Sequence, residues 1–175
     1  SCALNAKSIP LAQDMRGPFP IMSTPYFEDG SVDYESLGKE ALWVAQSGCP
    51  GVIWCQSNDA IDLLSNEEKI KGFEACAAAL AGVECILTLG ANGTNTAEMI
   101  FIASKIEEVA KRHPKTKIAM ISRPPDDVRS QEDLESAWDA LGKISRRPVI
   151  FQTYGTASTP TPDVDLIVRL AKRHP

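Results

Sequence analysis

The sequence has no basic excess, no long apolar run and no repetitive tract, and each absence removes a class of function. Its net charge of -5, with no concentrated basic face, argues against a nucleic-acid partner. No apolar stretch approaches the roughly 20 residues needed to span a bilayer, so no membrane span is expected. No His/Asp/Glu cluster has ligand spacing, and neither a P-loop nor a dinucleotide-binding pattern occurs. No metal and no cofactor are expected. The five cysteines (Cys2, Cys49, Cys55, Cys76 and Cys85) make an odd count without a C-x-x-C pair. That pattern fits buried free thiols in a reducing compartment better than disulfides. The sequence starts at Ser1 without a methionine, so it reads as processed or cut. A cytoplasmic location is expected, the alternative being an exported lipoprotein acylated at Cys2. With 43% hydrophobic and 23% charged residues, what remains is a globular chain.

The chain is organised around Gly51 to Ser65. Val52 to Cys55 is a short apolar run with β-branched and aromatic members, and it stops abruptly in Gln56-Ser57-Asn58-Asp59. Hydroxyl, amide and carboxylate groups thus collect at a strand's carboxyl end, where parallel α/β folds bind ligands. Ser65 with Glu68 three residues on is a capping box opening the next helix.

The remaining elements follow in alternation. Residues 1–16 have no clear periodicity and read as an irregular arm, with the folded unit over 17–175. A first strand is expected over Pro18 to Thr24, then a helix capped by Asp33 with Leu37, Ala41 and Val44 inward. After the central strand comes a helix from Asn66 to Leu80 with Ile70, Phe73, Ala77 and Leu80 on one face. Further strands are expected at Val83–Leu89, Lys117–Ile121 and Pro148–Gln152. Helices run over Thr96–Arg112 and Gln131–Ile144, and a last one opens near Pro162 with Val164, Ile167 and Leu170 toward the core. Gly90-Ala91-Asn92-Gly93-Thr94 reads as a tight strand-to-helix turn rather than a phosphate cradle or a glycosylation site. His113 and His174 fall in last helical turns, where the helix dipole accounts for them.

Five strand-helix units in strict alternation imply a parallel sheet covered by helices. Two architectures fit: an open doubly wound sheet, or the first five units of a (β/α)8 TIM barrel, which takes about 250 residues when complete. Ala110-Lys111-Arg112-His113-Pro114 leads into a strand, and the same five residue types close the chain as Ala171-Lys172-Arg173-His174-Pro175. The second copy reads as a connector to a strand not included here, which favours a barrel continued elsewhere.

Several residues carry a family resemblance. Ser23-Thr24-Pro25 with Asp29-Gly30-Ser31-Val32-Asp33, Leu64-Ser65-Asn66-Glu67-Glu68, and Gly90 with Thr96-Ala97-Glu98 stand in order and at matching spacings. From about Arg16 to Pro175 the sequence resembles the family of dihydrodipicolinate synthase and N-acetylneuraminate lyase, pyruvate-dependent class I aldolases on a (β/α)8 barrel. The resemblance implies a lyase: a strand-six lysine, outside this chain, forms a Schiff base with pyruvate or another 2-oxo acid. It also implies a homo-oligomer.

Carried onto this sequence, the carboxylate-binding positions fall at Ser57 and Asn58. The proton-shuttling tyrosine falls at Gln152, which cannot exchange a proton as a phenol does; Tyr154, two residues on, is the candidate replacement. The tyrosine expected after strand four falls near Pro124 and Pro125, and the arginine after strand five at Ala157. Arg123 or Arg129 is left as a neighbouring cation. None of the lysines is expected at a strand's carboxyl end. The alternative reading is a catalytically degenerate barrel that binds a small molecule.

Overall fold

The computed structural model describes residues 9–57, 59, 61–153 and 159–175. Four strands, β1 (Gly51–Trp54), β2 (Ile86–Gly90), β3 (Lys117–Ser122) and β4 (Val149–Phe151), form one sheet in the order β1-β2-β3-β4. Every pairing is parallel. The helices are α1 (Tyr34–Gln46), α2 (Asn66–Ala79), α3 (Thr96–Arg112), α4 (Gln131–Ile144) and α5 (Val164–Arg173). Each packs on the next in chain order. A doubly wound sheet reverses its strand order part-way. This one steps in a single direction, as a barrel wall does.

The first expected strand survives only as one parallel bridge, Ile21 to Ile53. The Met22 N–H donates to Ile53 O (2.9 Å) and the Ile53 N–H to Pro20 O (2.8 Å). Pro20 has no N–H with which to extend the ladder backward, and the Thr24 N–H donates to Asp59 instead of to β1, so pairing stops at this bridge. The segment holds a strand's place without its full hydrogen bonding.

Register divides the sheet into two faces. Val52, Leu87 and Ile118 lie abreast, as do Trp54, Leu89 and Met120. All six join the buried layer shared with the helices. Ile53, Thr88 and Ala119, also abreast, point to the other face because side chains alternate along a strand. The helix layer receives Leu37 and Ala41 from α1, Phe73 and Ala77 from α2, Met99 and Ile106 from α3, and Leu134 and Trp138 from α4. Trp54 meets Phe73 edge-on at 5.7 Å between ring centroids, and Trp138 stacks on Phe151 at 4.4 Å.

Helix starts follow their caps. Asp33 accepts from the Ser36 N–H (3.0 Å) and Asn95 from the Glu98 N–H (2.9 Å). Ser65 with Glu68 and Ser130 with Asp133 form reciprocal capping boxes. Two expected faces need correction. Val164 is 75% exposed, because α5 begins there after Asp163 and presents Leu166 and Leu170 to the core instead. In α2 the buried face contains Lys69 and Gly72, with Ile70 only half-buried.

Candidate functional site

The carboxyl ends of all four strands open on one side, and the loops leaving them carry polar groups. At the exit of β1, Cys55 adopts a left-handed backbone (φ 65°), uncommon for a residue with a side chain. The chain turns there, with Gln56 and Ser57 immediately after. Asp59 accepts from the Thr24 N–H (2.9 Å) and from the Thr24 hydroxyl. Thr24 Oγ1 in turn accepts from Trp54 Nε1 (3.1 Å). A buried indole, a hydroxyl and a carboxylate therefore fasten the first segment to the β1 loop.

Asn92, in the loop after β2, is buried and used at both ends of its amide. Its Nδ2 donates to Cys55 O (3.2 Å), and its Oδ1 accepts from the Arg123 N–H (2.8 Å). One side chain thus ties the exits of β1, β2 and β3, which accounts for the asparagine better than glycosylation does. Gly90 makes the approach possible: a Cβ there would stand 1.7 Å from Cys55 O.

Ser57 is half-buried, and its hydroxyl donates to Gln152 Oε1 across 3.4 Å. Gln152 follows β4, and its N–H donates to Ser122 O (2.8 Å). Two positions 95 residues apart therefore meet over the sheet. Asn58, Tyr154 and Ala157 lie outside the described residues, as does Cys2. Of the two candidate cations, Arg129 folds onto its own loop, donating to Val128 O (2.9 Å) and Asp126 O. Arg123 instead crosses from the β3 exit to Asp62 of the β1 loop, with Nη2 3.2 Å from Oδ1.

The described cysteines are free. Burial pushes the Cys55 thiol up to about 12 and the Cys85 thiol to about 11, so neither is a nucleophile at neutral pH. Among the described residues no lysine stands at a strand's carboxyl end. Lys69, on the first turns of α2, is 7% exposed, a burial that helical spacing alone did not reveal. Among the described residues no group of three His, Cys, Asp or Glu side chains could hold a metal ion. No described helix is long and apolar enough to cross a membrane. A cavity of about 700 Å³ lies away from this mouth. It lies at the opposite, amino end of β4, among Pro148, Val149, Leu170 and residues 9–13. Polar groups converge at the strand exits and not in that apolar hollow.

A sheet that advances in one direction with its polar loops at the carboxyl ends is the wall of a (β/α)8 barrel. Comparison with known proteins narrows this further. The chain is 25% identical over 160 residues to the 4-hydroxy-tetrahydrodipicolinate synthase of Rhizobium meliloti, covering 91% of this chain and 52% of that protein. It is 36% identical over 86 residues to the same enzyme of Haloarcula marismortui, covering 49% of this chain and 28% of that protein. The crystal structure of dihydrodipicolinate synthase from Agrobacterium tumefaciens superposes with a TM-score of 0.79 at 24% identity, over 91% of this chain and 52% of that one. That from Aquifex aeolicus gives 0.79 at 22% identity, over 90% and 52%. No family model matches. The resemblance to dihydrodipicolinate synthases thus extends over about nine-tenths of the chain, and the chain spans about half the length of the curated relatives that it matches along most of its own length.

Proposed function

We propose that this chain supplies the first part of a class I aldolase site that performs Schiff-base aldol or retro-aldol chemistry on pyruvate or another 2-oxo acid. The observation that carries this reading is the meeting of Ser57 and Gln152 over the strand exits, in a chain similar to dihydrodipicolinate synthases. Ser57 and Asn58 hold the substrate carboxylate through hydroxyl and amide donors. A lysine outside this chain attacks the keto carbon and, with loss of water, forms an iminium. The iminium accepts the electron pair released when the adjacent carbon loses a proton, and the resulting enamine adds to an aldehyde. Tyr154 is the proposed proton shuttle, since Gln152 has no ionisable proton to give. Cytoplasmic location and homo-oligomeric assembly of the full-length protein go with this reading.

The second reading is a barrel that binds the acid without turning it over, and Gln152 at the shuttle position favours it. Borohydride reduction of the full-length protein in the presence of pyruvate separates the two. The aldolase gains one covalent three-carbon adduct on a lysine and loses activity. Binding of pyruvate without any adduct overturns the Schiff-base reading and leaves the binder.

A further inference from the structure

Among the described residues, two buried nitrogens at the strand exits, Gln56 Nε2 and Arg123 Nε, have no hydrogen-bond partner. Leaving a buried donor unmade is costly, more so for a charged group, so both call for an acceptor that belongs there. Their surroundings are built to keep them in place. Gln56 is 1% exposed, and its Oε1 accepts from the Ser57 N–H, which turns the amide nitrogen elsewhere. The Arg123 side chain is 15% exposed. Asn92 bonds to the carbonyl of Cys55, just before Gln56, and to the backbone N–H of Arg123, so one side chain ties together the backbones that carry them.

The acidic groups near Arg123 do not saturate it. Asp62 reaches Nη2 at 3.2 Å but is 71% exposed, and Asp126 stands at 4.0 Å with 50% exposure. Exposed pairs of this kind contribute little. A guanidinium prefers a planar acceptor that takes two parallel N–H bonds, and a carboxylate is that acceptor.

We infer that Arg123 and Gln56 form a second carboxylate anchor at this mouth, so that the acid it selects is a 2-oxo dicarboxylate rather than pyruvate. The choice of a 2-oxo acid rests on the proposed function, with Ser57 and Asn58 holding the first carboxylate; the anchor itself rests on the two spare donors. Arg123 is a binding residue in this scheme and takes no part in bond making.

Calorimetric titration of the full-length protein with 2-oxoglutarate, pyruvate and glutarate tests it, glutarate having no carbonyl for an amine to attack. Arg123→Gln and, separately, Gln56→Leu are expected to weaken 2-oxoglutarate and glutarate about tenfold, the scale of a lost charge-assisted hydrogen bond, with little change for pyruvate. Asp62→Asn is expected to tighten both dicarboxylates, because it releases the guanidinium. A purely structural Arg123 would weaken all ligands alike and would not respond to Asp62→Asn. That outcome, or unchanged dicarboxylate binding in both variants, overturns the anchor. Arg123-dependent glutarate binding without a borohydride adduct keeps the anchor and removes the aldolase. An adduct with pyruvate alongside unchanged dicarboxylate binding does the reverse.

Discussion

Gly72 lies within α2, where glycine ordinarily costs about 1 kcal/mol relative to alanine. Propensity alone would make Gly72→Ala stabilising. Here a Cβ would stand 2.0 Å from Trp54 Cη2, a separation no real contact tolerates. The indole must move, and it is held at its other end by Nε1 donating to Thr24, which carries Asp59. Gly72→Ala is therefore expected to destabilise by about 1–3 kcal/mol, the usual cost of overpacking a core. A urea midpoint equal to or above that of the parent would show that the indole has room to shift. The glycine could not be interpreted from the sequence, because the ring that fills its place arrives from a strand 18 positions earlier. The same holds for Ser57 and Gln152: their residue types pointed to a polar mouth, but only the closing sheet brings them within 3.4 Å.

At the scale of elements, the repeated Ala-Lys-Arg-His-Pro endings have a common structural use. Arg112 and His113 at the end of α3 both engage Glu74 on α2. Arg173 at the end of α5 engages Glu135 and Asp139 on α4, and His174 engages Asp139. Each helix end is thus clamped to the helix before it, a role more specific than the dipole interaction expected for the two histidines. Burial alone would raise the Glu74 pKa, but hydrogen bonds from His113 and Arg112 outweigh it and hold it below the ordinary glutamate value. A more buried pair lies between α3 and the segment entering β4. Glu107 accepts from Arg147 Nε (2.8 Å) and Nη2 (2.9 Å) and from the Arg146 N–H (2.9 Å). Desolvation again opposes ionisation, and these donors overcome it, so the Glu107 pKa is lowered.

Removing one partner from such a pair strands the other charge. Arg147→Met is expected to cost about 3 kcal/mol at neutral pH, measured by urea denaturation. The pH dependence has a definite sign. With a folded pKa below the unfolded one, the Glu107 contribution is complete above the ordinary value of 4.5 and is lost as pH falls through the lowered value. In the variant, burial without the guanidinium favours the neutral acid, so protonation relieves the penalty. The gap between parent and variant should narrow on acidification; a constant gap would mean that Glu107 is not the group left stranded. Helix ends were legible in the sequence because caps such as Ser65 and Ser130 are local signals. The first strand was not, because its pairing is limited by the missing N–H of Pro20 and by Asp59 taking the Thr24 N–H, which matter only once a neighbour is present.

At the scale of the whole molecule, alternation in the sequence left two architectures open, and strand order decided between them. Order is a long-range property that local periodicity does not encode. In the described sheet β4 has one strand neighbour, β3, which leaves its other edge unpaired. All three β4 residues are only half-buried. Beside this edge lies the cavity of about 700 Å³, lined by Val149, Phe151, Ile167 and Leu170. An unpaired parallel edge next to apolar surface is a template for another chain. The 175-residue polypeptide on its own is expected to self-associate, with a sedimentation coefficient that rises with concentration. Ile150→Lys places a charge on that edge and should shift the distribution toward monomer, since lysine on an edge strand opposes further pairing. Far-UV circular dichroism establishes that the variant retains its helices. A parent polypeptide that sediments as one monomeric species at every concentration and melts cooperatively would mean that the β4 edge is closed by its own chain, and Ile150→Lys would then cost stability instead of relieving association.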